Sequence, residues 1–479
     1  MHLLTFFDIF CYFLYYGRMT NEKTGLSENK MGVMPVTKLL VNMSLPMMFS
    51  MLIQALYNIV DSIFVAKISE NALTAVSMAF PIQTLMMAFA LGTSVGVNAL
   101  LSMRLGQKNQ EGVNKTAVNG LFLAICSYIV FLVVGLACTG IYFSTQTSDR
   151  EIIDLGISYT SIVIAMSFGM YLGIMFDKLL QSTGLTFYTM ITQIVGAVFN
   201  LIFDPLLIFG LGPFPKMGIA GAALATVLGQ IFACVLSYLF NIRVNKEIQF
   251  KFKGFVPDKN VIAHIYKIAV PSILMQSINS ITTYGMNLII GKFSMTAVAV
   301  YGVYFKLNSF IFLPVFGLNT GMVPIISFNY GACNKKRITK TIKVSLIFAL
   351  SIMAFGVVIF ETIPAKLLAL FNASPEMLAI GVPALRIIAP SFMGAAIAIV
   401  MGSTFQALGN AVYSMNVSFV RQIVVLLPVA YMFSLSGKVN NVWFCFLVAE
   451  IFAISLSFFY LHRIYIKKIK PMDALKADK

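Results

Sequence analysis

LLVNMSLPMMFSMLIQALYNIVDSIFVAK, residues Leu39 to Lys67, is apolar for long enough to cross a bilayer, yet it carries a carboxylate at Asp61. About 20 predominantly apolar residues make a spanning helix. A charged Asp near the centre of one costs roughly 2.5–3.5 kcal/mol on insertion scales, so such residues face a cavity or a polar partner. Asn58, Tyr57 and Gln54 precede Asp61 by three, four and seven residues, on or beside the same helical face. Either this polar stripe lines a functional site, or Asp61 is neutralised by a proton or caps a break in the helix.

The rest of the chain supplies the setting such a stretch requires. Of its 479 residues 59% are hydrophobic and 11% charged, against about 25% charged in soluble domains. The fold class expected is all-α integral membrane. Six cysteines (Cys11, Cys126, Cys138, Cys234, Cys333 and Cys445) are scattered without CxxC spacing and read as packing residues; the three histidines form no metal or triad pattern. No GxxxxGK[ST] phosphate loop occurs, so neither a cofactor nor an ATPase subunit is expected. Residues 1–18, MHLLTFFDIFCYFLYYGR, lack a basic leading region and a small-residue cleavage site. They read as an upstream extension or an interfacial segment, with Met1, Met19 and Met31 as alternative starts.

From Lys38 onward twelve apolar segments follow, at about 38–66, 72–103, 116–141, 152–180, 186–210, 219–242, 262–290, 297–330, 341–361, 376–407, 411–434 and 441–463. Lys and Arg cluster in connections 2–3 (Arg104, Lys108, Lys115), 6–7 (Arg243 to Lys259) and 8–9 (Lys335 to Lys343), and at both ends of the chain, while each odd connection holds one. By the positive-inside rule the even connections and both termini are cytoplasmic, which suits a plasma (inner) membrane protein with an even number of spans. The net charge of +16 is thereby an orientation signal, and nucleic acid is not expected as a partner.

Shifting the chain by 225 residues brings its halves into register without a gap. Pro46 falls on Pro271, Gly92 on Gly317, Gly96 on Gly321, Ser102 on Ser327, Gly106 on Gly331, Asn109 on Asn334 and Gly184 on Gly409. Six spans separate equivalent positions, so the two halves cross in the same direction, a parallel repeat about an axis along the membrane normal. Twelve helices in two pseudo-symmetric six-helix lobes are expected: a segment 1–37, a first lobe 38–243, a linker 244–260, a second lobe 261–465 and a basic tail 466–479.

The charges inside the spans do not repeat. Asp61 falls on Met286, Asn200 on Val425 and Asp204 on Val429; conversely Lys306 falls on Pro81, Arg386 on Ser161, Arg421 on Gly196 and Glu450 on Ala225. In NLIFDP, Asn200 and Asp204 are spaced i, i+4 on one helical face, and Pro205 frees a backbone carbonyl one turn back. If that face meets the Asp61 stripe, two carboxylates share a low-dielectric pocket, where repulsion favours a shared proton or a bound Na⁺. Asp61, Asn200 and Asp204 are the candidate Na⁺ ligands. Thr226 either adds a hydroxyl or packs helices. Lys306 lines a cleft or pairs with Glu450, the pairing being favoured; Arg421 snorkels or binds Glu450. Tyr57, Lys306, Arg421 and Glu450 are thus cleft or charge-pair candidates.

SLPMMFSMLIQALYNIVDSIFVAK in the first span, NLIFDP in the fifth, FGLNTGMVPIISFNYGA in the eighth, QALGNA after the tenth and RQIVVLLP in the eleventh together resemble the multidrug and toxic compound extrusion (MATE) family, most of all its DinF-like prokaryotic branch. The resemblance runs from about Lys38 to Arg463. It implies an antiporter, not an enzyme, that exports amphipathic, cationic organic compounds in exchange for H⁺ or Na⁺ by alternating access, a role in drug resistance, and membrane lipid as its surroundings. It places Asp61 with Gln54, and Asn200 with Asp204 and Thr226, at the family's first-lobe ion-coupling positions. Members with acids in the seventh and tenth helices differ from this chain, which has none in the seventh and only Glu376 at the edge of the tenth. A monomer is expected. The alternative is a flippase for lipid-linked sugars, which would need cations lining the cleft.

Overall fold

The structure, a computed structural model, describes residues 29–371 and 373–472. The readings of residues 1–28 and 473–479 lie outside the described residues. A short helix α1 (Lys30–Val33) leads into α2 (Val36–Ala66), α3 (Glu70–Gly106), α4 (Gln110–Gln146), α5 (Arg150–Ala165), α6 (Phe168–Ser182), α7 (Thr186–Phe209) and α8 (Ile219–Arg243). The second half holds α9 (Lys259–Gly291), α10 (Met295–Gly331), α11 (Lys335–Thr362), a short α12 (Pro364–Ala369), α13 (Pro375–Ile388) and α14 (Ser391–Ala407). Last come α15 (Ala411–Ser434) and α16 (Val439–Ile469).

Among the described residues ten helices are long and apolar enough to cross a membrane, and α5–α6 and α13–α14, bent by 45° and 50°, supply two broken crossings. The fourth and tenth apolar segments, expected as single helices, are these bent pairs. Pro390, which cannot donate to the helical ladder, sits at the second break. At the first, the carbonyls of Ile164 and Ala165 accept from the hydroxyls of Ser167 (2.8 Å) and Tyr128 (2.9 Å).

The 225-residue repeat is visible in the atoms. Ser69 and Ser294 cap α3 and α10 by accepting from the backbone N–H three residues on, both at 3.0 Å. Asn109 and Asn334 cap α4 and α11 likewise, so both helices begin several residues before the apolar run suggests. Lys108 and Cys333, left-handed at φ 58° and 52°, end α3 and α10. The Ser102 hydroxyl donates to the Ser182 carbonyl at 2.9 Å, and that of Ser327 to Ala407 at 2.8 Å.

The repeated glycines are where the lobes touch. Gly92 and Gly96 of α3 abut Ile273 and Ile265 of α9; Gly317 and Gly321 of α10 abut Met48 and Ser44 of α2. Gly106 lies against the Phe328 carbonyl and Gly331 against that of Met103, a reciprocal contact about the pseudo-two-fold axis. Small residues let helix backbones approach closely, and these contacts close the molecule at the end that carries the basic connections. The segment before α2 fastens the same end. Arg337 donates to the carbonyls of Met31 (2.9 Å) and Met34 (2.7 Å) in the second lobe's grip, while Asn29 reaches Glu247 at 2.9 Å and the Thr183 carbonyl at 3.3 Å in the first.

Candidate ion site and interlobe cavity

Helices α2 and α7 run side by side in a constant register. The Ser50 hydroxyl of α2 hydrogen-bonds Gln193 of α7; eleven residues further along each helix, Asp61 meets Asp204. Eleven residues are three helical turns, so both contacts fall on one face, about 16 Å apart. The two carboxyls face one another closely enough for the charge on one to act on the other. Asp204 is fully buried and Asn200 almost so. Asn200 Nδ2 donates to Asp204 Oδ1 and to Thr226 Oγ1, both at 3.3 Å, and Thr226 in turn donates to the Ala222 carbonyl at 3.0 Å. Thr226 therefore packs its own helix and joins the cluster together.

Glycine makes this meeting of α7 and α8 feasible. A Cβ on Gly229 would sit 2.9 Å from the Gly196 carbonyl oxygen and 3.3 Å from the Asn200 Cβ. The phenols of Tyr57 and Tyr159 lie within electrostatic reach of both carboxyls, and Gln83 Nε2 donates to the Tyr159 hydroxyl at 3.1 Å. Three buried acceptors remain without a donor: Asp61 Oδ1, Asn200 Oδ1 and Asp204 Oδ2. Three donor-less oxygens in one cluster suit a monovalent cation or a proton.

Gln54 and Asn58 do not join this site. Their side chains are exposed, and among the described residues neither has a hydrogen-bond partner. Gln54 is two turns from Asp61, about 10 Å along the axis, which a shared face does not overcome. The pairing of Lys306 with Glu450 is also overturned. Arg421 Nη2 holds Glu450 Oε1 at 2.6 Å. Lys306 is exposed and sits 5.9 Å from the centre of the Phe371 ring. Tyr304, two residues before Lys306, is buried close to the Arg421–Glu450 pair; a two-residue step turns about 200° around the helix and aims Lys306 away. Arg421 stands in a widened π turn, Val420–Leu426, of α15, a feature common at functional sites.

One buried acid escaped the sequence reading. Asp177 of α6 accepts from Ser237 and Thr192, both at 2.8 Å, and from Gln193 at 3.2 Å. Next to it, Lys178 donates to Gln181 Oε1 at 2.8 Å and lines a cavity of about 310 Å³ between the lobes. Asn98 joins Lys178 from the first lobe; Phe316, Asn319, Gln406 and Arg421 line it from the second. Asp61, Asn200, Asp204 and Thr226 are not among the lining residues. The ion-site candidates and the cavity are separate places, linked along α2 and α7 by Ser50, Gln193 and Asp177. A lysine inside an apolar segment was the available signal.

The MatE family model matches residues 46–206 and matches again at 271–432. The chain belongs to the MatE family. The second match begins 225 residues after the first, at the offset of the internal repeat. Membership makes the chain a multi-pass membrane transporter and not an enzyme. It is 26% identical over 429 residues to the multidrug export protein MepA of Staphylococcus haemolyticus, covering 89% of this chain and 93% of MepA. It is 26% identical over 456 residues to an FAD transporter of Shewanella oneidensis, covering 93% and 97%. A solved outward-facing conformation of a multidrug resistance MATE family transporter shares the fold, with a TM-score of 0.85, 22% identity and coverage of 94% and 99%.

Proposed function

We propose that this MatE chain is an inner-membrane antiporter that exports small amphipathic organic compounds in exchange for H⁺ or Na⁺. The observation that carries the reading is the cluster of unpartnered oxygens on Asp61, Asn200 and Asp204. Occupancy of that cluster by a cation or proton removes the repulsion between two carboxyls on neighbouring helices. Helix α2, which bears Asp61, also bears Ser50 and the lobe contacts at Ser44 and Met48. A change in charge at one end of α2 thus acts on an element that touches the second lobe, the kind of two-state element that coupling requires. With the basic connections cytoplasmic, the closed end is the inner one and the cavity belongs to an outward-facing state. Both lobes lie on one chain, which favours a monomer as the working unit. Export by MepA and transport by the FAD transporter, as their names state, are in keeping with organic cargo.

The test is ethidium efflux from liposomes holding the purified chain, under a pH gradient and a Na⁺ gradient imposed separately. Efflux under one gradient, lost in Asp61→Asn, is expected and names the ion. Undiminished gradient-driven efflux in the variant would remove Asp61 from the mechanism. A flippase for lipid-linked sugars is the second reading, favoured by the two cations on the cavity wall, Lys178 and Arg421; translocation of a labelled lipid without ethidium efflux would select it.

A further inference from the structure

We infer that the interlobe cavity takes the anionic group, a carboxylate or a phosphate, of an amphipathic compound, gripped between Lys178 of the first lobe and Arg421 of the second. This names the charge of the cargo at that point and rests on reading the chain as a carrier of organic compounds. It differs from the cationic cargo that the family resemblance implies.

The sign of the cavity is the first ground. Two of its lining side chains are charged, both are cations, and no Asp or Glu is among them. Neither cation has its acidic neighbour on the cavity wall. Glu450 holds Arg421 from outside the lining, and Asp177 turns into the first lobe, where three side chains donate to it. The cavity therefore meets the positive end of one ion pair and an ammonium whose neighbouring carboxylate is turned away from it. A cationic guest would face both in a medium of low dielectric, where like charges repel far more than in water.

Unspent hydrogen-bonding capacity is the second. The Lys178 ammonium donates to the neutral Gln181 and has three N–H groups in all. Arg421 Nε is buried without a partner, and so is Oδ1 of Asn319, a lining residue only 6% exposed. Buried polar groups are nearly always paired in native proteins, so the unpaired Arg421 donor marks a place for an anionic group, and the Asn319 acceptor one for a hydroxyl or N–H of the same ligand. Met51, Val95, Met275, Phe316 and Val323 complete the wall and suit an apolar or aromatic body. A volume of about 310 Å³ falls at the small end of the usual range for organic ligands, roughly 300–1,000 Å³. Because the two cations belong to different lobes, an anion held by both links them, and its release accompanies their separation.

The repeat offers variants that leave both cations in place. Ser403, the position 225 residues after Lys178, also lines the cavity. The full chain in phosphatidylcholine nanodiscs is titrated with riboflavin 5′-phosphate and with riboflavin, which differ only in the phosphate, and with fluorescein as a carboxylate probe, each followed by fluorescence anisotropy. The phosphate ester is expected to bind at least about tenfold more tightly than riboflavin, the worth of one charge-assisted hydrogen bond. Ser403→Asp should weaken it, Ser403→Lys should strengthen it, and Lys178→Gln should erase most of the preference.

If neither anion binds more tightly than riboflavin, or if Ser403→Asp and Ser403→Lys act alike, the inference is wrong. Repeating the titration with phosphatidylglycerol in the nanodisc separates the sources of the anion: displacement makes a lipid head group the occupant, and no displacement a free amphiphile. Ethidium efflux on the same preparation keeps the two readings apart. Gradient-driven efflux without an anion preference defeats only the anion site, and an anion preference without gradient-driven movement of any probe defeats only the antiporter.

Discussion

The two lobes copy one another in their backbone devices and in none of their buried charges. Caps at Ser69 and Ser294, left-handed turns at Lys108 and Cys333, and the carbonyls held by Ser102 and Ser327 recur at one fixed offset. Asp61, Asp177 and Asp204 have no acidic counterpart, nor does Glu450. A scaffold that must pack on its own image keeps its helix ends and interface glycines in both copies, since each contact occurs twice. Chemistry needs a single site, and a second copy of a buried carboxylate would add its desolvation cost without a second task. The acids are also held differently. Those of the ion-site cluster face another carboxyl, whereas Glu450 is held through one oxygen by Arg421 and keeps the other unpaired.

The largest difference should appear when each acid is neutralised. Asp204→Asn is expected to reduce gradient-driven efflux to the leak while leaving thermal stability unchanged or raised, because it removes like-charge repulsion. Adding Val429→Asp, the equivalent position in the second lobe, should not restore transport. Val425 and Ile451 stand there in place of Asn200 and Thr226, so a transplanted carboxylate has no neighbours. Restoration would show that the lobes are interchangeable and that position alone makes the site.

In the second lobe the sign on stability reverses. Arg421→Ala strands Glu450, which is 5% exposed, and loss of one partner of a buried ion pair costs about 3–5 kcal/mol. Lys306→Ala, at an exposed side chain, is expected to stay within about 0.5 kcal/mol of the parent. Thermal unfolding in detergent ranks the two. A large loss for Lys306→Ala would mean that Lys306 and not Arg421 supports Glu450.

Much of this was legible in the residues. Twelve crossings and the 225-residue repeat follow from apolar length and loop charge, and the i, i+4 spacing puts Asn200 and Asp204 on one face, because a helix turns a fixed 100° per residue. What spacing does not give is how one helix is rotated against another. Lys306 was the favoured partner for Glu450 and Arg421 a second one, until α10 turned Tyr304 inward. Gln83 comes from a helix whose polar residues show no period, and no spacing along the chain ties Tyr159 to Asp61. Asp177 and Lys178 stood near the end of an expected segment at 152–180, where charge is ordinary; α6 runs on to Ser182, and α7 and α8 cover the acid.

Gly106 and Gly331 probe the symmetry itself. Each meets a backbone carbonyl of the other lobe, at Phe328 and Met103, and those two residues are themselves 225 apart. Gly106→Ala and Gly331→Ala are expected to weaken closure of the basic end about equally, by roughly 1–3 kcal/mol each, the usual cost of overpacking. Accessibility of a cysteine placed at Ser182 to a thiol reagent added from that side reads the opening. Markedly unequal effects would show that the lobes carry the closure unequally.

The smallest effect is the finest test of the scaffold. Ser102 and Ser327 are fully buried, and each donates to the last residue of the broken crossing in its own lobe, Ser182 or Ala407. A buried hydrogen bond of this kind contributes about 1 kcal/mol net, and its loss leaves a carbonyl without that donor. Ser102→Ala and Ser327→Ala should each cost about that much, matching within a few tenths of a kcal/mol, and should add in the double variant because the sites are distant. A larger loss for Ser102→Ala would tie the scaffold to the chemistry. Ser182 ends the helix that carries Asp177 and Lys178, and Ala407 ends one that carries no charge.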